Sequence, residues 1–145
     1  MTTRSHLRIA LAAAALAVAV GACDEDKPAS KGRAGAGAPA GVDAALAGWK
    51  AAGLTVSAFE VADGSSYGGG DCKAGTVSGV DTVVCVYATA ELAKAAEPAG
   101  LTAVGQATGV SMAQGELLLV IADRRAADPQ GLTINRMTKL FRGKP

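Results

Sequence analysis

The sequence predicts an α+β fold: a two-layer sandwich with a four-stranded, mostly antiparallel sheet and helices on one face, in the order αββαββα. Three observations carry this. Two unbroken apolar runs, Val83-Val84-Cys85-Val86-Tyr87 and Leu117-Leu118-Leu119-Val120-Ile121, have the length and character of buried central strands. Between and around them lie short segments of helical period, punctuated by Gly and Pro. A weak internal repeat sets the order: Leu46-Ala47 followed by Gly53-Leu54-Thr55 recurs as Leu92-Ala93 followed by Gly100-Leu101-Thr102, with one residue inserted. Chance similarity in an Ala- and Gly-rich chain is the competing account of the repeat.

In order, Asp43 caps a helix through Ala52, with Leu46 and Trp49 on one face and Gly53 at its C-terminal cap. Leu54 to Val61 reads as a strand. Its apolar parity switches between Ala58 and Phe59, which points to a bulge or to cover on both faces. Ala62 to Gly79 is glycine-rich and reads as a loop around Gly64-Ser65-Ser66-Tyr67-Gly68-Gly69-Gly70. Val80 to Ala88 is the strongest strand. Thr89 caps a helix through Glu97, which Pro98 and Gly100 terminate. Leu101 to Thr108 is a weaker strand, Gly109 to Gly115 a turn, and Glu116 to Ala122 another buried strand. Asp128-Pro129 opens the last helix, Asp as cap and Pro at its first position. There Ile134, Met137, Leu140 and Phe141 share one stripe, and Arg136, Lys139 and Arg142 the opposite one.

The N-terminal region reads differently. Arg4, His6 and Arg8 precede an uncharged apolar run, Ile9 to Val20, and small residues follow it. That is the make-up of a secretory signal peptide, and the run falls short of the roughly 20 residues a spanning helix needs. Val20-Gly21-Ala22-Cys23 resembles the lipobox of bacterial lipoproteins. The resemblance covers this stretch alone and implies cleavage before Cys23, a diacylglyceryl group on its thiol and acylation, as by palmitate, of its amine. It places the chain in the bacterial cell envelope, lipid-anchored, with the domain in the periplasm or outside the cell. Asp24 resembles an inner-membrane retention signal in enteric bacteria, but the choice of membrane stays open. The chain thus divides into a signal peptide (1–22), the lipidated Cys with a Pro-, Gly- and Ala-rich tether (23–42), and one globular domain (43–145).

Composition excludes several function classes. The chain carries 14 Lys and Arg against 13 Asp and Glu, a balance that gives no argument for nucleic acid. Its one histidine is His6, which leaves with the signal peptide, so Ser-His-Asp and Cys-His nucleophile systems and histidine-held metals are not expected. Three cysteines less Cys23 leave Cys72 and Cys85, an even pair that reads as a disulfide in an exported chain. A redox or metal pair is the rival reading, without the close Cys-x-x-Cys spacing to support it. No cofactor, metal ligand or catalytic residue is expected.

The remaining candidates are surface features. Arg136, Lys139 and Arg142 form a candidate basic surface for anionic lipid headgroups or an acidic partner, against the plainer reading of a solvated helix face. Glu60, Asp63, Asp71, Asp81, Glu116 and Asp123 are scattered carboxylates. Asp63 and Asp71 bracket the Gly-rich loop, but their spacing matches no calcium loop. The expected function is a non-enzymatic binding or accessory domain with an envelope protein as its partner. The alternatives are a small-ligand sensor or carrier, which needs an apolar pocket near Tyr67 and Tyr87, and a histidine-free hydrolase, which needs two facing carboxylates.

Overall fold

A computed structural model describes residues 39–144; the expected signal peptide, Cys23 and most of the expected tether lie outside them. The described residues form α1 (Val42–Ala51), β1 (Glu60–Ala62), a 3₁₀ turn (Ser65–Tyr67), β2 (Asp71–Val77), β3 (Val80–Val86), α2 (Ala90–Ala95), α3 (Glu97–Val104), β4 (Thr108–Gln114), β5 (Leu117–Asp123) and α4 (Leu132–Phe141). The class is α+β, and the sheet is antiparallel throughout, with strand order β1-β2-β3-β5-β4.

The sheet has five strands rather than four. The additional one, β2, comes from the segment that reads as a glycine-rich loop. It pairs with β3 over its whole length, through a two-residue turn at Ser78 and Gly79 where both residues have positive φ (49° and 86°). Gly75 within it is the site of a close approach: a Cβ there would lie 2.5 Å from the Phe59 ring. The glycine that looks like a loop residue is thus a packing requirement.

The helices also cover both faces of the sheet, not one. Alternate residues of β5 settle this. Leu117, Leu119 and Ile121 pack with α1 and α4, through Ala45, Trp49, Ile134, Met137 and Phe141. Leu118, Val120 and Ala122 pack with α2 and α3, through Ala93, Ala96 and Val104. Every residue of β5 is buried, as its unbroken aliphatic run requires once both faces are covered.

The internal repeat fails in structure. Leu54-Thr55 lies in irregular backbone after α1, whereas its counterpart Leu101-Thr102 lies within α3. The strand expected over Leu101 to Thr108 is therefore largely helix, and the turn expected over Gly109 to Gly115 is mostly β4. Pro98 does not end the preceding helix but sits in the first turn of α3, where its missing N–H costs nothing. Gly100 lets α3 lie close on the sheet, since a Cβ would come within 2.3 Å of Ser111 Oγ and 2.8 Å of Val120 Cγ2.

The hydroxyl of Ser111, buried at this contact, has no hydrogen-bond partner among the described residues. Ser111→Ala removes a desolvated donor that gains nothing. The expected result is stability unchanged or raised by up to about 1 kcal/mol in denaturant unfolding.

Three further boundaries shift. The strand expected over Leu54 to Val61 is interrupted: Val56 bridges Val77, then Ser57 accepts from Thr76 N through its side chain (2.8 Å), and regular pairing resumes only at Glu60. The parity switch between Ala58 and Phe59 falls inside this interruption. Helix α1 has Gly41 rather than Asp43 at its N-cap, with Asp43 in the first turn. Helix α4 starts at Leu132, after Gly131 in the left-handed region (φ 68°). Asp128 still serves it from a distance: its buried carboxylate accepts from Ile134 N at 2.9 Å, while Pro129 stays in the preceding turn.

Glu97 protects the edge of the sheet. Its carboxylate accepts from the backbone N–H of Ala113 on edge strand β4 at 2.7 Å, and from Lys94 Nζ at 2.6 Å. These bonds, the lysine's foremost, hold its pKa below the usual value. A satisfied edge amide is one less template for pairing with another chain.

Candidate functional site

The Gly-rich segment is a closed structure built on Asp63. Its two carboxylate oxygens accept from Ser65 N (2.9 Å) and Ser65 Oγ (2.7 Å), which lowers its pKa. Tyr67 N and Gly69 N both donate to Gly64 O at 2.9 Å. The loop then closes over an aromatic floor. Gly70 lies on the Tyr87 ring, where an added Cβ would sit 2.7 Å from Cζ, and the Tyr87 hydroxyl donates to the Tyr67 carbonyl. A phosphate cradle needs a strand before the loop and a helix after it; here strands β1 and β2 flank it.

Burial raises the pKa of Tyr87. A tyrosine whose folded pKa lies above its unfolded value contributes stability below the ordinary tyrosine range, and loses it as pH rises through the folded value. Tyr87→Phe is expected to cost about 1 kcal/mol at neutral pH, the worth of the hydrogen bond to Tyr67. It should also reduce the loss of stability on alkaline titration, read from urea unfolding at about pH 8 to 11.

Two clefts flank this loop. The smaller, about 420 Å³, runs between Gly68–Asp71, Tyr87 and Leu92. The larger, about 830 Å³, lies on the α1 side of the sheet. Register explains its floor. Val61 pairs with Lys73 and Asp71 with Val86, so all four share the face on which α1 and α4 pack. The start of α1, Ala40 to Ala44, forms one wall, and Ala62 to Gly64 with Gly70 the other. The helix leaves this end of the sheet uncovered, and Val61 is 90% exposed.

Asp63 and Asp71, which bracket the loop in sequence, both line this cleft, as does Asp43 on α1. Lys73 Nζ lies 3.5 Å from Asp43 Oδ1. The other carboxylates are elsewhere. Asp81 pairs with Arg124 (3.6 Å) and Arg125, and Asp123 accepts from Ala127 N and Asp128 N at 2.8 Å. Glu60 and Glu116 are exposed. Among the described residues, no group of three or more His, Cys, Asp or Glu could hold a metal ion.

The remaining sequence candidates separate. Cys72 and Cys85 are directly opposite on β2 and β3, disulfide-bonded, buried, with Cα atoms 4.0 Å apart. Arg136 donates to the Ala52 carbonyl and so ties α4 to the end of α1. Lys139 and Arg142 are exposed and have no carboxylate within ion-pair distance among the described residues. Tyr67 and Tyr87 build the loop rather than line the larger cleft. Cys23 lies outside the described residues. Sequence reasoning missed Val61, Lys73 and Val86 as cleft residues. Register alone brings them together, and the one signal for it was the parity switch before Phe59. No helix of the described residues is long and apolar enough to cross a membrane. No protein-family model, curated protein or solved structure matches this chain.

Proposed function

We propose that this chain is a lipid-anchored lipoprotein of the bacterial cell envelope whose folded domain acts by binding, as an accessory subunit for an envelope protein. The observation that carries the reading is the cleft beside α1. The start of α1 forms one wall, and strand β2 beneath it is disulfide-bonded to β3. Its ionisable groups suit holding a partner rather than moving a proton. Asp43 is paired with Lys73, and hydrogen bonds from Ser65 push Asp63 further from neutral pH, the wrong direction for a general acid or base. The anchor rests on the basic start, apolar run and Val20-Gly21-Ala22-Cys23 of the N-terminus, and the buried disulfide suits an oxidising compartment.

The second reading, a small-ligand carrier, draws on the cleft beside Tyr87 and Leu92. It is the weaker one, because the Tyr87 hydroxyl that would orient a ligand already donates to Tyr67.

Two measurements test the proposal. Intact mass of the membrane-extracted protein should show a chain beginning at acylated Cys23; a chain beginning earlier, or there without lipid, contradicts the anchor. Chemical cross-linking in the native envelope should then yield a stoichiometric protein partner. An abundant, folded protein with no partner contradicts the accessory role and favours the carrier.

A further inference from the structure

The larger cleft combines two features that point to one kind of occupant. Beside Asp71 and Lys73, its sheet face carries two apolar side chains: Val61, 90% exposed where helices cover the face elsewhere, and the half-buried Val86. Covering these side chains would remove apolar surface from water. Its volume, about 830 Å³, falls in the ordinary range of binding clefts.

The second feature is charge. Three carboxylates, Asp43, Asp63 and Asp71, line the cleft against one cation, Lys73. The N-terminus of α1 opens here as well, which alone would favour an anion. Asp43 in its first turn offsets that, and its contact with Lys73 closes one ion pair within the wall. Asp63 and Asp71 remain with no counter-cation among the described residues. Asp63 is fixed in place by Ser65, and so presents a positioned negative charge rather than a mobile one.

We infer that this cleft is a docking groove for a cationic segment of a protein partner, lysine or arginine flanked by small aliphatic residues. The inference rests on the binding-domain reading and names the chemistry of its partner. A lysine stem lies along Val61 and Val86 while its ammonium reaches Asp63 or Asp71, so apolar burial and charge are used together.

The test uses the mature chain and two fluorescein-labelled, amidated peptides, one alternating Lys and Val, the other Glu and Val, read by anisotropy. The Lys peptide should bind saturably, at least about tenfold tighter than the Glu peptide, and more weakly as salt rises. Asp71→Asn, whose side chain makes no hydrogen bond among the described residues, should weaken it about tenfold, the worth of one charge-assisted hydrogen bond. Asp63→Asn/Asp71→Asn should weaken it further. Lys73→Gln should leave binding equal or tighter, because it removes the one competing cation. Circular dichroism confirms that each variant is folded.

Equal binding of both peptides, no saturable binding, undiminished binding by Asp71→Asn, or a loss on Lys73→Gln would each overturn the inference. Failure here with a stoichiometric partner found in the envelope leaves the accessory role standing and removes only the charge assignment. Failure of both removes the binding-domain reading itself.

Discussion

Trp49→Ala is expected to destabilise the domain by about 3–5 kcal/mol, the largest effect of any single substitution considered. Trp49 is the one tryptophan of the chain and is 1% exposed. It fills the layer between α1, α4 and the sheet, against Ile134, Met137 and Phe141. Its indole N–H also donates to the Met137 carbonyl at 3.3 Å, so it both packs and fastens α1 to α4. Alanine leaves a large cavity that surrounding helices can only partly close. Trp49→Phe keeps most of the volume and loses the hydrogen bond, and should cost about 1–2 kcal/mol. Urea unfolding followed by circular dichroism measures both, since the fluorescent probe is itself removed. A cost under about 1.5 kcal/mol for Trp49→Ala would show that α1 is not held through this residue. Against a total stability of about 5–15 kcal/mol, the alanine variant has little margin, and the cleft wall that α1 provides goes with it.

The second large effect is the disulfide. Removing it by Cys72→Ala/Cys85→Ala should cost about 3 kcal/mol in the chain-entropy account, a drop in Tm of about 10–20 °C for a domain of this size. The bridge links residues 13 apart and directly opposed across β2 and β3. Its role therefore differs from pinning a loop. It fixes the register of the strand that carries Lys73 and Asp71 into the cleft. Beside it, β1 has only three residues to pair with β2. Thermal unfolding of the oxidised chain, the reduced chain and the double variant provides the comparison. Equal melting of all three would contradict the structural role.

The sequence shows some of this architecture and hides the rest for identifiable reasons. The runs around Val84 and Leu119 are legible because a strand buried on both faces has no polar position to spare. The same fact implies two helical layers, an implication hidden by the expected repeat. Helix α3 is hidden because Ala, Gly and Pro give it almost no amphipathic stripe; Gly100 is there for close packing, not as a stop signal. Strand β2 is hidden because Gly75 weakens a pattern that Phe59, sixteen positions earlier, makes necessary. The disulfide is legible from counting alone. The cleft is only half legible. Asp63 and Asp71 flag themselves by bracketing the loop, but Lys73 and Asp43 are 30 positions apart and meet only through the tertiary fold. The exposed stripe of α4 reads correctly as a stripe, yet one member, Arg136, is used within the fold.

The most direct test of the central claim is site-specific photo-cross-linking in the native envelope. A photoreactive amino acid replaces Val61, an exposed residue lining the cleft, and in a separate strain replaces Leu132, an exposed apolar residue at the start of α4 that does not line the cleft. The account predicts one discrete adduct from position 61, absent from position 132 and diminished when Asp63 and Asp71 are both replaced by Asn. Equal adducts at the two positions, or none at 61 with the protein folded and anchored, would contradict it.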